Sequence, residues 1–343
     1  MVAGVRIAAQ KFKGWALRAI KEAPRAEWRR ILAGSIVSTE QLQQRLRMPV
    51  DALAPVVRQY PVRINPYFLS LVKHPGDPIG RQVIPDVREL DENGDAQNDP
   101  FREVCQSPVD NLVHRYPDRV LFLVSGRCAV YCRHCMRKRN AGVKEQIRPA
   151  DVARVLAYIR RTPAVREVIL SGGDPLLLPD AFLAEILLQL KRIPHVARLR
   201  IHSRVPCVLP QRVTGGLVDM LRRFSPLYIN IQFNHPDELT AEAIGACAML
   251  AEAGVVLGSQ TVLLKGVNDD AETMGTLMEN LLSCRVRPYY LHHPDPVRGT
   301  GHFRVSVEKG LRIMNALRGG ISGMAIPHYV MDLPGAKGKV PVS

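Results

Sequence analysis

The sequence predicts an α/β fold of parallel strands alternating with helices, behind an N-terminal helical lead-in. Three observations carry this. From Val120 onward, short apolar runs with β propensity alternate about six times with amphipathic runs of helical period. A strand–helix–strand repeat implies parallel strands joined by right-handed crossovers. Polar and glycine-rich residues fall at the strand ends: Cys128, Ser171–Asp174, His202–Arg204, Asn234–His235, His292–His293 and Asp332. A barrel brings every strand's C-terminal end to one rim, so this shared location favours a full or partial (β/α) barrel over a doubly wound sheet. Finally, three cysteines lie on the loop that leaves the first of these strands, where α/β folds usually carry their ligand sites.

In chain order, residues 1–60 read as mostly helical. Met1–Ile20 is basic, has no acid and lacks both a continuous apolar core and a small-residue cleavage site, which argues for a basic amphipathic helix and against a secretory signal. Pro24 suits a first helical position, with Arg25–Ala33 following, and Ser38–Glu40 reads as a cap before Leu42–Leu46. Residues 61–115 are rich in Pro, Asp and Asn, with turn signals at Asp77–Pro78, Ile84–Pro85 and Asn98–Pro100; this weakly regular stretch reads as a lead-in that wraps something. Strands are expected at 120–125, 167–171, 198–202, 227–233, 255–263, 287–292 and 325–331. Helices are expected near 149–161, 180–193, 211–223, 239–253, 270–284 and 305–318.

The chain has 343 residues, 46% of them hydrophobic, enough for one large α/β domain with a smaller appendage. No apolar run reaches the ~18–20 residues of a membrane span. The seven cysteines are odd in number and three are clustered, so a reducing compartment with a metal site fits better than a disulfide framework. Cys105, Cys207, Cys247 and Cys284 are expected to be buried small hydrophobes. The formal charge of +15 is carried by dispersed residues, apart from the run Arg137–Arg139 beside the cysteines, and no aromatic RNA-binding signature accompanies it. A basic, soluble surface is favoured over a nucleic-acid face.

Cys128, Cys132 and Cys135 stand at spacings of three intervening residues and then two. A structural zinc site wants four ligands, and a cubic iron–sulfur cluster has four irons. Three cysteines therefore leave one iron open to an exogenous molecule. His134 offers a fourth zinc ligand, but it directly precedes Cys135 and would have to fold back. The cluster is the preferred reading.

This spacing resembles that of the radical S-adenosylmethionine superfamily. More narrowly, His114–Val120, Cys128–Arg139 and Asn140–Gly142 resemble the lysine 2,3-aminomutase family. Further matches run through Leu170–Asp174, Ser203–Arg204, Leu209–Arg212, Phe233–Pro236, Gln260, Gly266–Asp269, Arg287–Tyr290, His302–Arg304 and Asp332–Gly335, and more weakly through Pro66–Ser70 and Asp77–Ile79. The resemblance spans roughly residues 60–343 in unbroken order. It implies a partial (β/α)6-type radical SAM barrel over residues 116–325, a lead-in over 1–115 and a C-terminal pyridoxal phosphate segment over 326–343.

The resemblance implies a [4Fe–4S] cluster on the three cysteines whose open iron binds S-adenosylmethionine. One electron then yields a 5′-deoxyadenosyl radical that takes a hydrogen from the substrate's β-carbon, while pyridoxal 5′-phosphate holds the amine that migrates from α to β. By the same matching, Lys339 is the lysine that holds pyridoxal phosphate, although Lys337 stands where the family has glycine and competes for the assignment. Arg115, Arg119 and Gln260 are matched to pyridoxal phosphate contacts, and Gly172, Gly173, Asp174, Ser203 and Arg204 to S-adenosylmethionine contacts. Arg137 is matched to the arginine for the substrate α-carboxylate, Asp295 and Asp332 to the aspartates for a lysine side-chain ammonium. Such an acid pair would repel an acidic side chain.

The implied reaction is conversion of L-lysine to L-β-lysine, with a one-electron reductant such as flavodoxin or ferredoxin, in the cytoplasm. The alternatives are the shorter relative that prepares β-lysine for elongation factor P, a radical enzyme for another amino acid, one acting on RNA or protein, and a zinc-ribbon module. Longer family members carry a structural zinc site. Here Asp270 occupies one of its cysteine positions and the sequence stops at Ser343, so no zinc is expected, and the family's oligomeric state is left open.

Overall fold

The computed structural model describes residues 27–47, 49–91, 94, 96–142, 147–333, 335–336 and 338–343. The basic segment Met1–Ile20, the helix start at Pro24–Arg25 and Lys337 lie outside the described residues.

The lead-in is a series of short helices, several of them started by a side-chain cap. Ser38 accepts from the Gln41 N–H (3.3 Å) at the head of Thr39–Leu46. Asn65 accepts from Phe68 N–H (2.9 Å) ahead of Pro66–Ser70, and Asp77 from Gly80 N–H (2.5 Å) ahead of Pro78–Arg81. Such caps satisfy backbone donors that a helix this short cannot satisfy itself. Asn65 also works across the fold. Its amide donates to the carbonyls of Ala129 (3.2 Å) and Val208 (2.8 Å), tying the lead-in to the cysteine loop and to the segment after the third parallel strand.

One nine-stranded sheet follows, ordered as in the sequence: β1 Leu112–Tyr116, β2 Arg119–Ser125, β3 Glu167–Gly172, β4 Arg198–Ser203, β5 Leu227–Ile231, β6 Val256–Val262, β7 Arg287–His292, β8 His328–Met331 and β9 Val340–Pro341. Strands β2 to β8 are parallel; β1 and β9 join the two edges antiparallel. The six crossovers carry the helices Pro149–Arg160, Asp180–Lys191, Gly215–Arg222, Ala241–Glu252, Ala271–Ser283 and Val307–Gly320. The repeat is the one the sequence predicts. The strand expected over 325–331 starts only at His328, because Gly323–Ala325 forms a 3-10 turn capped by Ser322. Strand β1 runs across the expected boundary at residue 115 and, like β9, had no apolar signal of its own.

The sheet is strongly curled. A flat sheet would separate β1 from β8 by seven strand spacings, roughly 34 Å. Instead Arg115 on β1 donates to Asp332 just past β8 (3.2 Å) and to the Leu333 carbonyl (2.6 Å). The lead-in fills the gap between these edges: Gln97 N–H donates to the Pro296 carbonyl (2.9 Å), and Arg298 N–H to the Gln97 carbonyl (3.0 Å). The alternation of each strand sorts its two faces. Leu199, Ile201, Leu227, Ile229, Ile231 and Leu257 belong to the apolar core shared with the helices. Arg200, His202, Tyr228, Asn230 and Gln260 take the opposite, concave face.

The lead-in grips the cysteine loop through one carboxylate. Glu89 has a fully buried side chain, accepts from Arg133 Nε (2.8 Å), Arg133 Nη2 (2.5 Å) and Lys138 Nζ (2.6 Å), and caps its own turn by accepting from Asp86 N–H (2.9 Å). Arg133 and Lys138 bracket Cys135 and also donate to the carbonyls of Pro61 (2.9 Å) and Gly299 (2.9 Å). Burial pushes Lys138 down to about 8 against the pull of Glu89. Removing one partner of such a network strands buried charge. Glu89→Gln is expected to cost on the order of 3 kcal/mol, read as a lowered midpoint in chemical denaturation.

Candidate active site

The three clustered cysteines are free thiols on the loop after β2, partly exposed. Burial pushes Cys128 well up and Cys135 up, and their proximity to each other and to Cys132 adds to the shift, so the three sulfurs share one environment. Among the described residues no three His, Cys, Asp or Glu side chains form a ready-made cage for a single metal ion. A cubane asks for something else, since each thiolate takes a different iron and the sulfurs need not converge on one point. Three thiolates on one short loop beside a strand end fit that donor set.

The residues around the loop are tied closely to one another. Gly172 and Gly173, matched above to S-adenosylmethionine contacts, stand directly against the chain leading into the cysteine loop. A Cβ on Gly172 would run into the Ser125 carbonyl and one on Gly173 into the Arg127 carbonyl, and Gly172 has φ of 122°. Across this contact Gly173 N–H donates to Ser125 O (2.6 Å) and Asp174 N–H to Arg127 O (2.7 Å), clamping the backbone that leads into Cys128. The Asp174 carboxylate accepts from Ser203 Oγ (2.8 Å) and from the N–H groups of Arg204 (2.7 Å), Val205 (3.0 Å) and Leu176 (3.0 Å), which joins the ends of β3 and β4. Burial pushes it up to about 6 despite these donors.

Ser203 is thus spent on Asp174, and the Arg204 side chain turns to the cysteine loop. Its Nη1 donates to Cys132 Sγ (2.7 Å), while Nη2 is held by Gln82 Oε1 (2.5 Å) and Glu238 Oε1 (2.9 Å). His134 does not fold back as a fourth ligand. Its Nε2 takes the side-chain amides of Gln232 (3.1 Å) and Asn234 (3.2 Å), so the proton sits on Nδ1, and burial holds its pKa well below the usual range.

Several buried polar atoms have no partner among the described residues: Nδ1 of His134, Nε2 of His202, Nδ2 of Asn230 and Nε of Arg200. Buried donors are normally satisfied, and these line the concave face or the cysteine loop, so the site fits polar ligands of its own. A surface groove of about 310 Å³ lined by Arg81, Arg88, His302 and Phe303 lies elsewhere and contains none of the expected site residues.

The charged residues expected for substrate and pyridoxal phosphate share one neighbourhood. Lys339 is ion-paired with Asp332 and sits over the Tyr290 ring at 5.6 Å. Tyr290 pairs in register with Gln260 on β6. Asp332 also receives Arg115. Burial raises Asp332, but Lys339, His292 and Arg115 outweigh it and its pKa ends below the usual range. Burial likewise holds His292 neutral, down to about 3. The Asp295 carboxylate makes no hydrogen bond or ion pair with any described residue. Burial, followed by the charge of Asp332, pushes it up to about 7, against the pull of Lys339, Arg137 and Arg115.

Arg137 is gripped by Glu103, with Nε donating to Oε2 (2.9 Å) and Nη2 to Oε1 (2.6 Å). Arg139 is paired with Asp99 (3.1 Å) and Glu103 (3.4 Å), so the basic run 137–139 is neutralised inside the fold rather than displayed. Arg119 is paired with Asp118 (3.1 Å) and stacked on Tyr116 at 4.3 Å. Cys207 and Cys247 are buried, Cys284 is half-buried, and Cys105 is exposed, contrary to expectation, because the turn that carries it faces solvent.

Residues 122–277 match the Radical SAM superfamily. The chain is 44% identical to the L-lysine 2,3-aminomutase of Clostridium subterminale over 329 residues, covering 94% of this chain and 79% of that protein. It is 45% identical to the L-lysine 2,3-aminomutase of Fusobacterium nucleatum, covering 92% and 76%. It is also 45% identical to the glutamate 2,3-aminomutase of Clostridioides difficile over 288 residues, covering 83% and 68%. Identity by itself therefore does not choose the substrate.

Two measurements test this geometry. Gly173→Ala is expected to lower the melting temperature, whereas Gly245→Ala, a helix position with open space, should raise it slightly. The second concerns Asp295. Between about 4 and about 7 the folded protein holds a proton there that the unfolded chain has lost, so ligand-free stability falls as pH rises through this window. Asp295→Asn is expected to stabilise the protein at pH 8 and to leave it unchanged at pH 4 in thermal melts.

Proposed function

Because this chain belongs to the L-lysine 2,3-aminomutase family of radical S-adenosylmethionine enzymes, we propose that it moves the α-amino group of L-lysine to the β-carbon, giving L-β-lysine. It is an aminomutase and hence an isomerase. The family works with a [4Fe–4S] cluster, S-adenosylmethionine and pyridoxal phosphate. No described helix is long and apolar enough to cross a membrane.

The observation that carries lysine over glutamate is the acid pair Asp295 and Asp332 in the same neighbourhood as Arg137 and Lys339. A lysine zwitterion offers a carboxylate at one end and a distal ammonium at the other, and this pocket offers a guanidinium and two carboxylates. Asp295 has no ion pair of its own, so a bound ammonium would supply the countercharge it lacks and draw its pKa down. A glutamate side chain would add a third carboxylate to a pair that already repels.

When bound, the cluster with S-adenosylmethionine supplies one-electron C–H activation, and pyridoxal phosphate supplies the carbonyl that carries the migrating nitrogen. Cys128, Cys132 and Cys135 would hold the cluster, and Arg204 would keep the Cys132 sulfur oriented. Lys339 would hold pyridoxal phosphate, which requires it to leave Asp332 and so frees that carboxylate for the ammonium. Arg115, already on Asp332, and Gln260, in register with Tyr290, are the nearest candidates for further polar contacts. Arg119 would have to release Asp118 to join them. The curled sheet and the lead-in would keep water from the reacting carbons.

The test is anaerobic reconstitution with iron, sulfide and pyridoxal phosphate, followed by assay with S-adenosylmethionine, a reductant and either L-lysine or L-glutamate. β-Lysine should form, and β-glutamate should not. Cleavage of S-adenosylmethionine without β-lysine would sink the substrate assignment and leave the family standing. Lys339→Ala should lose the pyridoxal phosphate absorbance. The KM for lysine should rise as pH falls below about 7, and Asp295→Asn should flatten that rise at a higher KM.

A further inference from the structure

Both ends of the charged pocket are attached to one short piece of the lead-in. Gln97 forms a backbone bridge to Pro296 and Arg298 (2.9 and 3.0 Å), on the loop that carries Asp295. Six residues later, Glu103 holds Arg137 by two hydrogen bonds. The stretch between them is fixed internally. The Asp99 carboxylate accepts from the N–H groups of Glu103 (3.0 Å) and Val104 (3.1 Å), and Gln106 Nε2 donates to the Phe101 carbonyl (2.6 Å). Phe101 is buried, with the Arg115 guanidinium 5.6 Å over its ring.

Glu103 takes the Nε–Nη2 edge of the guanidinium. Nη1 has no partner among the described residues, which leaves the Nη1–Nη2 edge for a second carboxylate. Glu103 is therefore a brace and not a competitor, since a ligand can bind without displacing it.

We propose that Gln97–Glu103 is a strap that fixes the distance between Arg137 and Asp295, making Glu103 and the Gln97 bridge determinants of substrate length. This rests on the reading of Arg137 and Asp295 given above. A rigid spacing between the carboxylate-binding and ammonium-binding groups selects diamino acids by chain length, and a loosened spacing does not. Glu103 acts through Arg137 and is a positioning residue.

The test compares wild type, Glu103→Gln and Gln97→Pro in the reconstituted holoenzyme, measuring kcat and KM for L-lysine and for L-ornithine, which is one methylene shorter. Glu103→Gln should raise the KM for lysine roughly tenfold, with kcat within about twofold, and should erode the preference for lysine over ornithine by a similar factor. Gln97→Pro removes the N–H that reaches Pro296 and leaves Arg137 untouched; it should erode the same preference from the other end. Cluster and pyridoxal phosphate absorbance report whether each variant has folded and loaded. If Glu103→Gln fails to load, Gln97→Pro decides. A KM for lysine at or below wild type in Glu103→Gln overturns the proposal, because it would make Glu103 a competitor for Arg137. An unchanged lysine-to-ornithine ratio in every variant that loads overturns it as well. Wild-type turnover of lysine tests the parent reading separately. Should wild type use another amino acid, the same comparison is made with that compound and its homologue one methylene shorter.

Discussion

Glu89 is a single buried carboxylate that answers two cations of the cysteine loop. Arg133 and Lys138 would each be costly to bury alone; held on Glu89 and on the carbonyls of Pro61 and Gly299, they fix the loop to the lead-in on one side and to the loop after β7 on the other. The opposite end of the loop is fixed without charge, where Gly172 and Gly173 let the Ser125 and Arg127 carbonyls sit directly on β3. Three thiols so constrained are oriented before any ligand arrives, and Arg137, two residues past Cys135, inherits its position from the same grip.

The interior of the curled sheet is an exchange of ion pairs. Lys339 is matched with Asp332, Arg115 with Asp332 and Arg137 with Glu103, while Asp295 is left over and pays for it with a raised pKa. Glu103 leaves the Nη1–Nη2 edge of Arg137 open, so a carboxylate can pair there without displacing a protein partner. Among the described residues of this pocket Asp295 is the carboxylate without an ion pair, and the proposed preference for a distal ammonium rests on it. The pocket already contains the countercharge for an anion in Arg137; what it lacks is a cation for Asp295.

Much of this was legible in the sequence where the signal is local. The strand–helix repeat follows from periodicity, and the cysteine loop from spacing; Asp295, Asp332, Lys339 and Arg137 were singled out by family resemblance and do fall together. The partners were not legible. Glu103 lies 34 residues before Arg137, and Arg115 lies 217 before Asp332, with no pattern that links them. The Gly–Gly–Asp stretch carries long-range contacts that its local pattern does not show. Its glycines do permit close backbone approach, but of the cysteine loop's own carbonyls. Ser203 and Arg204 likewise turned inward, to Asp174 and Cys132, because the ends of β3 and β4 meet there. Cys105 could not be assigned a side, since its turn carries no periodic pattern.

The sequence by itself determined the order of strands and helices, the three-thiol loop and the chemical types gathered at the strand ends. These depend on contacts within one turn, one strand or one loop. Only the tertiary structure decided which charges neutralise one another, which carboxylate stays unpaired and where the lead-in takes hold. Those outcomes depend on how far the sheet curls, which brings β1 to β8 and lets residues hundreds of positions apart share a hydrogen bond. Curl is a sum over many strand pairs and has no signature at any single residue.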